Sequence, residues 1–174
     1  MRKTLDQLYL AAGWTAAFVI LAIAILISVQ VLLNFSTRVL GLPLPSTIPS
    51  YSDFSGFMLA SATFLAMPYT FRSGGHIRVS LVTARLSERA QHVSEIIALA
   101  MAAALTGYAC VYIVFLVYES VHFGDVSTGS VPIPLGIPQA FMAVGMGLLF
   151  VAILDSLVQT IMTGTSVIAQ GKET

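Results

Sequence analysis

The stretch "LAAGWTAAFVILAIAILISVQVLL", residues 10–33, decides the fold class. It contains no Asp, Glu, Lys or Arg, and no such residue occurs between Asp6 and Arg38. A helix that crosses the hydrocarbon layer of a bilayer needs about 20 apolar residues. The apolar core of a cleaved signal peptide has only about 7–15 residues. The stretch therefore predicts a retained transmembrane helix.

The composition of the whole chain agrees with this interpretation. Of its 174 residues, 57% are hydrophobic and 9% are charged, whereas soluble domains have about 45–50% apolar and about 25% charged residues. The 8 basic and 8 acidic residues balance, so no nucleic-acid-binding surface is indicated. The single cysteine, Cys110, excludes an intramolecular disulfide and is expected to be a buried apolar side chain.

Four windows are long and apolar enough to span a membrane: residues 10–33, 51–71, 96–118 and 137–162. We therefore predict an all-α integral membrane protein with four transmembrane helices, forming a single four-span domain over residues 1–174. The second window is the least secure, because Asp53 begins it and Pro68 lies near its end. A proline near the end of a membrane helix is tolerated within a bundle.

The basic residues predict the orientation of the spans. On one side of the membrane, the loops that follow the first and third spans carry only Arg38. The other side contains the two termini and the loop between the second and third spans. Its basic residues are Arg2, Lys3, Arg72, Arg78, Arg85, Arg89 and Lys172. Because Lys and Arg are retained in the cytoplasm, we predict that both termini are cytoplasmic (N-in/C-in).

The basic segment "FRSGGHIRVSL", residues 71–81, is thus first a topology signal. In a helix over residues 78–93, Arg78, Arg85, Arg89 and His92 would share one stripe beside a face of valines and leucine. This pattern predicts an amphipathic helix in the cytoplasmic interface of the membrane, contacting lipid phosphates. A solvated loop that leads into the third span is the alternative.

The spans contain little chemistry of their own. Asp155 is the only acid well inside an apolar window, about 27 Å along the fourth span from Ile137, which puts it near the inner boundary. An intramembrane polar contact between helices is the prediction for Asp155, and an ion ligand is the alternative. No nucleophile, metal or phosphate-binding motif is present. We therefore expect no enzyme activity and no cofactor.

Small residues four apart predict where helices pack closely. Such pairs let two membrane helices approach each other. They occur in the second, third and fourth windows as Gly56 with Ala60, Ala103 with Gly107, and Ala143 with Gly147.

Three short motifs carry a resemblance to a known family. They are "SYSDFSG" at residues 50–56, "R-x-G-G-H-I-R-V" at residues 72–79 and "PIPLGIP" at residues 132–138. With the four spans and their predicted topology, they make residues 5–165 similar to the small membrane subunit of TRAP (tripartite ATP-independent periplasmic) transporters, the DctQ family. Many relatives carry a glutamate pair where this chain has Ser52 and Asp53, which puts any contact made by that pair in doubt.

The resemblance implies a role in solute import across a bacterial inner membrane. In such systems a periplasmic solute-binding protein captures a solute, often an organic acid. A large membrane subunit then moves the solute inward, driven by an ion gradient. The small subunit is similar to a stator that packs against the large one and helps to form the docking face.

On this resemblance, two groups of residues are expected to make contacts. The cytoplasmic turn would contact membrane lipids or the partner through Arg72, Gly75, His76, Ile77, Arg78, Arg85 and Arg89. The outer rim would dock the large subunit or the binding protein through Arg38, Asp53, Glu119 and Asp125. A turn that only ends a span, and unpaired rim charges, are the alternatives.

Two other functions stay open at this point. The chain would be a self-sufficient small transporter working as a homo-oligomer if Asp155 were its coupling group. It would be a membrane anchor or assembly subunit of another complex if its partners were enzymes.

Overall fold

Four long helices make up the described part of the chain. The computed structural model describes residues 2–74 and 87–163. The helices are α1 (Arg2–Arg38), α2 (Tyr51–Arg72), α3 (Glu88–Phe123) and α4 (Gly136–Thr163). All four are long and apolar enough to cross a membrane. The prediction of an all-α protein with four membrane-spanning helices is confirmed.

Helices α1 and α3 extend past their apolar windows by more than a turn at each end. Helix α3 begins after Ser87, whose hydroxyl accepts a hydrogen bond from the N–H of Ala90 at 3.4 Å, as is usual for a residue that caps a helix. Of the predicted interfacial helix, residues 78–86 lie outside the described residues, and residues 88–93 form the first turns of α3. That helix and the N-in/C-in orientation stay predictions.

The bundle has two ends, which contain different elements. The Arg72 end contains the first turns of α1 and α3 and the last turns of α2 and α4. The loop end contains residues 39–50 and 124–135, which connect α1 to α2 and α3 to α4. Consecutive helices therefore run in opposite directions, and α2 and α4 are parallel.

The helices adjoin in the order α1, α2, α4, α3. The extensive contacts are those of α1 with α2, α2 with α4 and α4 with α3. Consequently α2 and α4 are the middle helices, and α1 and α3 are the edges. In α4, 28% of the most apolar window is buried within the chain, against 6% in α3. Most of the surface of α3 is therefore available to lipid or to a partner.

The two middle helices approach each other backbone to backbone. Gly145 of α4 is buried against the main chain of Phe64 and Leu65, and a Cβ atom at Gly145 would overlap the Phe64 carbonyl group. Apolar clusters flank this contact on both sides. Ala12, Ala16, Ala62 and Leu65 lie between α1 and α2, and Leu99, Ala103, Leu149 and Ile153 lie between α3 and α4.

Helix α2 is the least apolar of the four, and it lies between two neighbours. Four of its hydroxyl side chains, those of Ser55, Ser61, Thr63 and Thr70, donate to carbonyl groups of the same helix. The bonds from Ser61 to Phe57 and from Thr63 to Leu59 are both 2.8 Å. A polar group that is hydrogen-bonded costs little to bury. This explains how a window with several hydroxyl groups forms a central helix.

Replacing Gly145 by Ala tests the contact between the middle helices. Because the new methyl group would meet backbone atoms that cannot rotate away, we expect α2 and α4 to separate and the protein to lose about 1–3 kcal/mol of stability. The measurement is thermal unfolding of the purified chain in detergent. Gly56→Ala is the matched control, since a Cβ atom at Gly56 meets nothing within 4 Å. Equal melting temperatures for the two variants would contradict the close approach.

Candidate functional site

An arginine shared by two carboxylates lies at the Arg72 end. Arg72, on α2, places its Nε atom 3.3 Å from Asp6 Oδ1 on α1 and its Nη1 atom 3.2 Å from Asp155 Oδ2 on α4. One cation therefore connects three helices. The side chain of Asp155 is 24% exposed and that of Asp6 is 51% exposed, so the pair with Asp155 is the less solvated of the two.

Further polar side chains surround the ion pairs. Gln159 is buried and donates from Nε2 to Asp155 Oδ2 at 2.5 Å. Tyr9 is fully buried within electrostatic range of Asp155, Arg72 and Asp6. Its hydroxyl group has no hydrogen-bond partner in the part of the chain that the structure describes. The inner part of this bundle end is thus polar, in contrast to the middle of the helices.

The structure accounts in different ways for the residues predicted in the cytoplasmic turn. Arg72 is half-buried in the ion-paired cluster, and Arg89 is exposed in the first turn of α3. The remaining residues of that set lie outside the described residues: Gly75, His76, Ile77, Arg78 and Arg85. Contacts of this set with lipid or with a partner stay a prediction.

A buried glutamine holds the first connection of the loop end. Gln30, on α1, is only 6% exposed. Its Oε1 atom accepts a hydrogen bond from the N–H of Ile48 at 2.7 Å, and its Nε2 atom donates to the carbonyl of Ser46 at 3.4 Å. The connection between α1 and α2 is therefore folded back onto α1, which the proline-rich sequence alone did not indicate.

The second connection is held to the start of α2. The hydroxyl of Ser50 accepts a hydrogen bond from the N–H of Val131 at 2.9 Å. Gly129 lies against the Asp53 carboxylate so closely that a Cβ atom would overlap it. Residues 124–135 also close on themselves, with the N–H of Ser127 donating to the carbonyl of Ile133 at 2.9 Å. The loop end is thus a defined surface.

The predicted rim residues are distributed over this surface. Arg38, Glu119 and Asp125 are exposed, and no ion pair joins them in the ranges that the structure describes. Asp53 is half-buried beside Gly129. Their role in docking stays a prediction.

The predicted small-residue pairs lie in different surroundings. Ala103 is buried, Gly107 lies under the ring of Phe150, and Gly147 lies near Cys110. Gly56 faces open space, and Ala60 and Ala143 are half-buried. The closest approach is at Gly145, which the spacing pattern missed because it identifies small residues without identifying the face that a neighbour covers.

Sequence reasoning also missed three members of the Arg72 cluster: Asp6, Tyr9 and Gln159. One signal was available for Asp6. The predicted topology puts Asp6 and Arg72 at the same side of the membrane, and an acid and a base at equal depth are natural partners. Within the described residues, no group of three or more His, Cys, Asp or Glu side chains is arranged to hold a metal ion.

Replacing Asp155 by Asn tests the energetic weight of the cluster. The change keeps the shape of the side chain but removes its charge, so that Arg72 is paired only with the exposed Asp6. We therefore expect a loss of about 1–3 kcal/mol in the free energy of unfolding. Asp6→Asn removes the more solvated partner and should cost less than about 1 kcal/mol. Chemical unfolding in detergent measures both values. If Asp6→Asn cost more than Asp155→Asn, the less solvated pair would not be the dominant one.

Replacing Gln30 by Leu tests the fold of the first connection. The leucine fills similar space without accepting the N–H of Ile48. We expect amide hydrogen exchange over residues 44–50 to accelerate by about tenfold, the effect of losing about 1.4 kcal/mol of protection. Gln7→Leu is the control, because Gln7 is exposed on the same helix. Unchanged exchange in Gln30→Leu would contradict the observed hydrogen bonds.

The fold and these two ends together define a multi-pass membrane protein whose charged and polar groups are gathered at the helix ends. A family model described as "Tripartite ATP-independent periplasmic transporters, DctQ component" matches residues 23–163, well over half of the chain. The chain belongs to this family and is accordingly a multi-pass protein of the inner membrane. No match was found among curated proteins or among solved structures.

Membership confirms the resemblance drawn from the three sequence motifs. The family is that of a transporter component, which agrees with the expectation that the chain is not an enzyme.

Proposed function

We propose that this chain is the structural small subunit of a TRAP-type secondary transporter. It packs against a large membrane subunit and presents its loop end to a periplasmic solute-binding protein. The assembled transporter imports an organic-acid-like solute and is driven by an ion gradient. Neither the solute nor the ion passes through this chain.

The observation that carries the proposal is the pairing of Asp155. This residue is the only acid well inside an apolar window, and an intramembrane carboxylate is where a coupling ion or proton would bind. Its carboxylate instead accepts from Gln159 and pairs with Arg72, which Asp6 shares. A carboxylate occupied in this way supports a role in joining helices. It disfavours a self-sufficient transporter that would depend on Asp155 for coupling.

The distribution of burial supports the same proposal. The middle helices are held to each other through Gly145, whereas the edge helices bury little of their surface within the chain. In a bilayer, apolar side chains gain nothing from leaving lipid for each other, and association depends on close packing and hydrogen bonds. A single row of helices with two open edges is suited to packing beside a larger membrane protein.

The experiment is affinity purification of the chain, tagged at its C-terminus, from its native membranes in mild detergent, with partners identified by mass spectrometry. We expect a larger polytopic membrane protein in stoichiometric amount. Asp155→Asn, compared at equal amounts of membrane-inserted chain, should still recover it, because the carboxylate acts within the chain. Recovery of the chain alone would contradict the proposal, and recovery of enzyme subunits would favour the anchor function.

A further inference from the structure

One face of the edge helix α3 combines exposed apolar side chains with two adjacent tyrosines, Tyr108 and Tyr112. At about 100° per residue, six exposed residues fall within one stripe along α3: Met101, Leu105, Tyr108, Tyr112, Phe115 and Glu119. The opposite side of α3 packs on α4 through Leu99 and Ala103. The stripe therefore points directly away from the rest of the chain.

The two tyrosines of the stripe lie near the middle of the membrane. The uncharged run of α3 extends from residue 96 to residue 118, between Glu95 and Glu119. Tyr108 is about 1.5 Å and Tyr112 about 8 Å from its midpoint along the helix axis. Both lie inside a hydrocarbon layer about 30 Å thick. Side chains on a helix lean toward its N-terminus, so the Tyr112 hydroxyl group lies closer still to the middle.

The rest of the chain leaves both tyrosines largely uncovered. Tyr108 is 65% and Tyr112 is 58% exposed, and their ring centroids are 4.5 Å apart. Each phenol carries one O–H donor. If one hydroxyl donates to the other, the second still has a proton without an acceptor. Lipid chains offer no acceptor at this depth, and an unsatisfied hydroxyl group in an apolar medium is costly.

The other edge of the row has no exposed polar side chain as close to the middle of the membrane as Tyr108. The large exposed side chains in the middle of α1 include Phe18, Leu21 and Ile25, which have no polar atom. The exposed polar side chains Trp14 and Ser28 lie about 12 Å and about 9 Å from the midpoint of the uncharged run of α1. The hydroxyl of Thr15 is satisfied within its own helix by the carbonyl of Ala11 at 2.9 Å. The α3 edge thus exposes two adjacent hydroxyl groups around mid-membrane, whereas the α1 edge exposes apolar side chains there.

From this difference we infer that the Met101–Glu119 stripe of α3 is the face that binds the large membrane subunit, with Tyr108 and Tyr112 hydrogen-bonded to that subunit in mid-membrane. The inference rests on the proposed function, and it specifies the chemistry of the partner. The covering surface is apolar, carries hydrogen-bond acceptors opposite the tyrosine pair, and has a cationic or donor group opposite Glu119. The α1 edge faces lipid.

Photo-crosslinking in native membranes tests this assignment. Phe115 on the stripe and Phe18 on α1 are replaced, one at a time, by p-benzoylphenylalanine. The two positions are matched, since their phenyl side chains are 61% and 64% exposed. We expect illumination to join the large subunit to the chain carrying the probe at position 115 and to leave the chain with the probe at position 18 without a protein adduct.

Each other outcome overturns the inference in a distinguishable way. An adduct of twice the mass of the chain from position 115 would show that a second copy covers the stripe. Adducts with the large subunit from position 18, alone or equally with position 115, would reject the assignment to α3 and leave the proposed function intact. Failure of any large subunit to copurify would reject both.

A second measurement examines the hydroxyl groups themselves. The double variant Tyr108→Phe/Tyr112→Phe keeps the rings and removes only the two O–H groups. We expect the dissociation constant of the complex in detergent to rise about threefold for each hydrogen bond lost, as for polar contacts between membrane helices. Tyr118→Phe makes the same change on the same helix but to one side of the stripe, and it should leave the affinity unchanged. Equal effects of the two variants would overturn the role of the tyrosine pair.

Discussion

The close approach of α2 and α4 at Gly145 is the contact on which the rest of the structure depends. Both edge helices are positioned by it, because α1 packs on α2 and α3 packs on α4. An apolar side chain gains nothing when it exchanges contacts with lipid chains for contacts with another helix. Membrane helices therefore associate where their backbones can come close enough for dense packing. Gly145 permits this by having no Cβ atom to separate it from the main chain of Phe64. Gly145 thus sets the spacing of the two middle helices, on which the edge helices pack.

Polar interactions then hold the two ends, where water and headgroups make charges tolerable. At one end Arg72 is shared by α1 and α4 through Asp6 and Asp155. At the other end Gln30 and Ser50 hold the two connections to the helices. The middle of the row depends on packing alone, apart from the tyrosine pair that α3 presents outward. The row of helices is thus held together at both ends and open along its two edges.

The sequence analysis predicted well the features that depend on local composition. Long uncharged runs such as residues 10–33 are placed in lipid, where every backbone N–H and C=O group must be hydrogen-bonded within the protein. A helix pairs these groups within one segment, so the four helices follow directly. Asp155 was expected near a membrane boundary because its depth follows from the helical rise. Its partners were not predicted, because α1, α2 and α4 meet only in three dimensions. The spacing rule for small residues identified Ala103 and Gly107. It did not identify Gly145, because the residues four positions away, Phe141 and Leu149, are large.

By itself, the sequence determined that this protein is a four-helix membrane protein and, through its motifs, the family to which it belongs. These properties follow from hydrophobicity and charge, which each residue carries wherever it is placed. Only the tertiary structure decided that the helices adjoin in the order α1, α2, α4, α3, that Arg72 bridges two carboxylates, and that Tyr108 and Tyr112 face outward. An apolar helix has several faces of nearly equal hydrophobicity, and only side-chain packing between helices decides which of them is covered.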